Sequence, residues 1–107
     1  MVSNRREHLQ EFVRLHPDQP FARYGLAMDF ANAGESVEAL EQFTTLQRNH
    51  PDYTAAYQQA GQLLIRLQRW DEARTVLRRG LECATRVGDL HAGQEMQGLL
   101  EEAEAEN

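Results

Sequence analysis

The sequence contains no lysine: all eleven basic residues among its 107 are arginine. Set against seventeen Asp and Glu, they leave a formal net charge of −6. A chain with this balance has no global basic field to draw in nucleic acid. Cysteine is almost missing as well. Cys83 stands alone, which excludes an internal disulfide and any Cys-rich zinc site. Long apolar runs are absent. The longest, such as Leu63-Leu64-Ile65, have three residues, whereas a membrane-spanning helix needs about 20. Residues 1–15 carry Arg5, Arg6, Glu7 and Glu11 and do not read as a secretory signal. The cytoplasm is the expected compartment. Sustained apolar–polar alternation rich in Val, Ile and Thr is also lacking, so no strands are expected.

What is present is helical periodicity from end to end. A first helix is predicted over residues 4–15, with Asn4 and Glu7 as a capping-box-like start and Leu9, Phe12, Val13 and Leu15 as its apolar side. His16-Pro17-Asp18 stops it, because proline pushes the preceding residue out of helical angles. A second helix is predicted over 20–32, opened by Pro20, buried through Leu26, Ala27, Phe30 and Ala31, and ended by Gly34. A third, over 36–48, has Ser36 as cap and Val37, Ala39, Leu40, Phe43 and Leu46 as its stripe. It too runs into His-Pro-Asp, here His50-Pro51-Asp52. A fourth, over 53–67, has Asp52 as cap and turns Tyr57, Ala60, Gly61, Leu64 and Leu67 inward. A fifth, over 71–86, places Asp71 and Glu72 at the positive end of its dipole and buries Ala73, Val76, Leu77, Leu81 and Ala84. Gly88 ends it, and Asp89 caps a sixth helix carrying Leu90, Met96, Leu99, Leu100 and Ala103. Gly93 and Gly98 weaken that helix by about 1 kcal/mol each relative to alanine, so packing must hold it.

The two His-Pro-Asp stops lie 34 residues apart. At the same offset Arg14 matches Arg48, Ala22 matches Ala56, Glu38 matches Glu72 and Ala39 matches Ala73. A fixed period of this length signals a stacked array. The second unit reads Tyr57-x2-Ala60-Gly61-x2-Leu64, then Ala73-x3-Leu77. The first reads Arg23-x2-Leu26-Ala27-x2-Phe30, then Ala39-x3-Phe43, then Pro51. Trp70 marks the turn between two helices. These spacings resemble the tetratricopeptide repeat, W-x2-L-G-x2-Y, A-x3-F and P. The resemblance implies an all-α fold, an antiparallel helix-hairpin array of about six helices forming one domain over 1–107. Its parts would be a half repeat at 4–17, repeats at 20–51 and 54–87, and a C-terminal capping helix at 89–105. Gly61 and Ala27 are then small because the two helices of a hairpin cross there. Leu26, Phe30, Phe43, Leu64 and Leu77 fill the space between hairpins, and each hairpin is stable only when stacked on a neighbour. Arg23 departs from the aromatic of the pattern, Gly80 and Thr85 depart late in the second unit, and the sixth helix falls out of register.

No residue set nominates a reaction. His16 and His50 are repeat-equivalent turn residues, His8 points away from the face of Glu7 and Glu11, and His91 stands apart, so no metal ligands are assigned. Cys83 reads as a buried structural thiol with no histidine placed to activate it. Phosphate loops, dinucleotide fingerprints and nucleophile elbows are absent. No catalytic residue and no cofactor is expected, and the chain does not read as an enzyme. Arg66, Arg69, Arg74, Arg78, Arg79 and Arg86 crowd one third of the chain. Asp71–Arg74, Arg78–Glu82 and Glu82–Arg86 have the spacing of helical ion pairs, which favours a solvated face over a basic patch. Trp70 alone is interleaved with them, too little for stacking on nucleic acid.

In the family resembled, the first helix of each hairpin lines a concave groove that binds peptide segments. Carried over, the lining is Phe21, Tyr24, Met28, Ala31 and Asn32 from the first unit and Gln58, Gln62, Ile65 and Arg66 from the second, with Met96 added by the sixth helix. Methionine adapts to irregular partners and glutamine can bond a peptide backbone. Tyr24 and Met28 occupy the places where some members carry a carboxylate-clamping lysine and asparagine, which argues against chaperone tails. The resemblance thus implies a non-catalytic protein–protein interaction module with a protein or peptide partner and no membrane. Two alternatives are a homo-oligomer formed through Leu9, Phe12 and Val13, and an arginine patch over 66–86 that takes an acidic peptide or nucleic acid.

Overall fold

The structure, a computed structural model, describes residues 4–106. Among them the chain forms α1 (Asn4–Leu15), α2 (Pro20–Asn32), α3 (Ser36–Asn49), α4 (Thr54–Arg66), α5 (Trp70–Val87) and α6 (Leu90–Glu104), with no strand. The periodicity places every helix boundary within one residue of these positions. Two compact units follow one another, the first ending at His50 and the second beginning at Pro51.

In the first unit α2 and α3 form a hairpin, and α1 packs on α2. Ala22, Leu26 and Ala27 of α2 are buried, as are Ala39, Phe43 and Leu46 of α3. The close approach of α1 falls at Gly25, where an added Cβ would lie 3.4 Å from Leu9 Cδ2. Arg6 ties α1 down. Its Nε donates to Asp29 Oδ2 at 2.7 Å, its Nη1 lies 2.7 Å from Glu35 Oε2, and its guanidinium sits over the Phe30 ring. The hydrogen bond to Asp29, the largest influence, raises the Arg6 pKa further.

In the second unit α4 and α5 form the hairpin, and α6 packs on both. Gly61 and Ala73 are buried, and a Cβ on Gly61 would collide with Leu77 at 2.4 Å. Leu77 therefore fills the crossing within the hairpin, where the repeat pattern alone had put it between hairpins. Gly80, read from sequence as a departure, is a second crossing. A Cβ there would meet Met96 Sδ at 2.5 Å and Tyr57 Cβ at 2.7 Å.

Both hairpins turn in the same way. Gly34 has φ of 78° and Gln68, 34 positions later, has φ of 59°. The Glu35 amide donates to Phe30 O at 2.9 Å, and the Arg69 amide donates to Leu64 O at 2.9 Å. This left-handed conformation costs a residue with a Cβ about 1–2 kcal/mol and costs glycine little. Gln68→Gly should therefore stabilise the chain by about 0.5–1 kcal/mol, seen as a higher midpoint in urea. A lower midpoint would contradict the turn conformation.

Several local expectations are corrected. Neither Ser36 nor Asp52 is a cap: the N-cap positions are Glu35 and Tyr53, without a side-chain cap bond. Asp89 does cap α6, accepting from the Ala92 amide at 3.0 Å. Asn4 is already helical, and the residue before it lies outside the described residues. Val37, Leu67 and Leu90, assigned to buried stripes, are 63%, 38% and 80% exposed. Val37 and Leu90 stand in a first turn, where side chains tilt past the helix end, and Leu67 lies just beyond α4. The sixth helix keeps the packing rhythm with a shift. α4 begins 34 residues after α2, but α6 begins 36 after α4, because α5 is four residues longer than α3 while the link that follows it is two residues shorter. With that shift Ala92, Met96 and Leu100 correspond to Ala56, Ala60 and Leu64, and all six are buried.

Candidate functional site

On α2 the residues Phe21, Tyr24, Met28 and Asn32 follow one another at three- and four-residue steps and so share a side of the helix. Phe21 is 59% exposed and Asn32 is exposed, while Tyr24 and Met28 are half-buried, as is Ala31. The Phe21 ring rests on Phe12, with centroids 5.3 Å apart, and the Tyr24 ring lies 6.3 Å from that of Phe43. The charges of α2 are engaged elsewhere. Asp29 holds Arg6, and Arg23 donates from Nη1 to Gln42 Oε1 at 2.8 Å. Arg23 thus replaces the aromatic of the repeat pattern with a polar tie to α3.

On α4 the corresponding side carries Gln58, Gln62, Ile65 and Arg66. Gln62 and Arg66 are exposed, and Gln58 and Ile65 are half-buried. Gln58 Nε2 donates to Glu95 Oε2 of α6 at 2.6 Å, and Glu95 Oε1 meets His91 Nε2 from its own helix. Sequence reasoning missed His91 and Glu95 as part of this surface. Their four-residue spacing was the available signal. Met96 is corrected in the other direction: it is fully buried against Gly80 and lines no surface.

Apart from Arg66, the arginine cluster is engaged within the fold. Arg74 pairs with Asp71 and donates to the carbonyls of Ala103 and Glu106 at 2.7 and 3.1 Å. Arg78 reaches Glu104 at 3.1 Å and Arg86 reaches Asp52 at 2.8 Å, in place of the local pairs with Glu82. Pro51 O accepts from Arg86 at 3.0 Å and from the Tyr57 hydroxyl at 2.8 Å. Burial pushes the Tyr57 phenol pKa up. Arg69 holds Glu72 below the usual carboxylate range through a hydrogen bond. Arg79 lies over the Tyr57 ring. Arg66 has no ion-pair partner among the described residues.

Among the described residues no group of His, Cys, Asp and Glu is arranged to hold a metal ion. Cys83 is buried, with Sγ 3.4 Å from Thr54 Oγ1. Among the described residues no helix is long and apolar enough to cross a membrane.

The tetratricopeptide-repeat sequence profile matches residues 30–100, more than half of the chain. The chain belongs to the tetratricopeptide-repeat family. A tetratricopeptide repeat domain protein from Salinibacter ruber, solved by NMR, is 33% identical with a TM-score of 0.79, over 85% of this chain and 92% of that one. A crystal structure of a tetratricopeptide repeat domain protein from the same organism is 34% identical with a TM-score of 0.75, over 80% and 97%. The TPR2B domain of yeast Sti1, in its pHsp70 complex, superposes with a TM-score of 0.87 over 95% and 82% at 16% identity, a likeness of fold. No curated protein matches the sequence.

Proposed function

We propose that this tetratricopeptide-repeat chain is a non-catalytic module that binds a segment of a partner protein on the first helices of its hairpins. The contacts are Phe21, Tyr24, Met28 and Asn32 on α2 and Gln58, Gln62, Ile65 and Arg66 on α4. The observation that carries this reading is on α2. A helix buried on one side shows solvent an uncharged row of aromatic, thioether and amide groups, headed by a Phe21 that is 59% exposed. Aromatic side chains and methionine are enriched at the cores of protein interfaces. The TPR2B domain in its pHsp70 complex supports the reading by its fold.

The test is a selection of random decapeptides on the intact chain, followed by fluorescence anisotropy of the peptides recovered. Phe21→Ala and Tyr24→Ala should each weaken binding about tenfold, the effect of losing an interface anchor. Far-ultraviolet circular dichroism should stay unchanged. Peptides that bind equally well to both variants would refute the surface assigned.

A further inference from the structure

The binding side of α4 is electrically polarised, and the second unit alone builds it. Its N-terminal end lies beside a carboxylate. Glu95, 46% exposed in its side chain, accepts from Gln58 Nε2 through Oε2 and meets His91 through Oε1. A carboxylate offers about four lone-pair sites, so these two bonds leave Glu95 able to accept from a further donor. Gln58, with its amide nitrogen committed to Glu95, keeps its carbonyl oxygen as an acceptor. The C-terminal end of the same side is cationic. Arg66 is exposed and unpaired among the described residues, and Gln62 lies between the two ends. Gln58 and Arg66 are eight residues apart, so the acceptor and donor ends are separated by roughly 12 Å along the helix.

Resting on the proposed function, we propose that this strip selects partner segments that carry a basic and an acidic side chain four residues apart. The partner is an extended protein segment, its lysine or arginine on Glu95 and Gln58 and its aspartate or glutamate on Arg66. An extended chain advances about 3.3 Å per residue, and its side chains return to the same face every second residue. Four residues therefore cover about 13 Å with both charges facing α4. Because the two ends of the strip differ in sign, the order of the charges also sets the direction in which the segment runs. Tight binding does not require this device. It rejects segments with the charges reversed, since like charges face each other at both ends.

The decapeptide selection on the intact chain reads this directly. Recovered peptides should share a basic and an acidic residue about four positions apart, in one fixed order. Glu95→Gln and Arg66→Gln should each weaken them roughly three- to fivefold, the upper part of the range of an exposed charge pair. The exchange of both signs, Glu95→Arg with Arg66→Glu, should favour synthetic peptides with the same residues in reversed order. If the exchanged protein does not fold by circular dichroism, the two neutral variants decide. Peptides weakened by Phe21→Ala or Tyr24→Ala but lacking the charge pair, and indifferent to Glu95→Gln and Arg66→Gln, would overturn this inference and leave the binding surface standing. Recovery of no peptide, or of peptides indifferent to all these variants, would overturn both.

Discussion

Gly61→Leu should abolish the cooperative unfolding of the second unit. A single Cβ at Gly61 lies 2.4 Å from Leu77 Cδ2 and 2.6 Å from its Cγ. Leu77 has no exposed surface. Adding one methyl group to such a contact costs about 1–3 kcal/mol. A full leucine exceeds what a unit of this size can lose, since stability is roughly 0.05–0.15 kcal/mol per residue. Gly61→Ala should lower the melting temperature by about 4–8 °C for each kcal/mol lost. A double-mutant cycle isolates the cause. Leu77→Ala alone costs about 2–5 kcal/mol through the cavity it leaves. In that background the penalty of Gly61→Ala should vanish, because the colliding methyls are gone. Additive effects in the cycle would mean that Gly61 and Leu77 do not meet.

The helices were legible because their ends are strongly coded. Two His-Pro-Asp stops, Gly34 and Gly88 leave little freedom, and the apolar positions between them fall on a helical period. The first-helix surfaces of α2 and α4 follow from that period once the repeat is seen. Contacts set by tertiary placement were not legible. Sequence spacing can pair Arg78 and Arg86 only with neighbours such as Glu82, whereas folding brings Glu104 and Asp52 within reach. A fixed period of 34 also hides the two extra residues before α6. That slip rotates Met96 out of the predicted surface and into the core, and conceals that Glu95 stands beside Gln58. Ser36 and Asp52 look like caps, but the turns place Glu35 and Tyr53 at those positions, and Asp52 serves Arg86 instead.

Gly80 connects that core to the proposed binding surface. There α5 comes close to both α4 and α6: a Cβ would strike Tyr57 Cβ at 2.7 Å and Met96 Sδ at 2.5 Å. The methionine thioether is flexible and can yield. Tyr57 Cβ is fixed to the backbone of α4, and its hydroxyl is held by Pro51 O, so one of the two contacts cannot relax. Gly80→Ala should therefore cost about 1–3 kcal/mol, and α6, the end helix of the described chain, should give way first. Hydrogen exchange should quicken about five- to hundredfold at the α6 amides, since each 1.4 kcal/mol is a factor of ten. The amides of α2 and α3 should keep their rates. As α6 loosens, Glu95 loses its hold on Gln58, and peptides selected on the wild-type chain should bind more weakly, although Gly80 is buried and touches none of them. Equal acceleration in every helix would show instead that Gly80 supports the whole array and not the docking of α6.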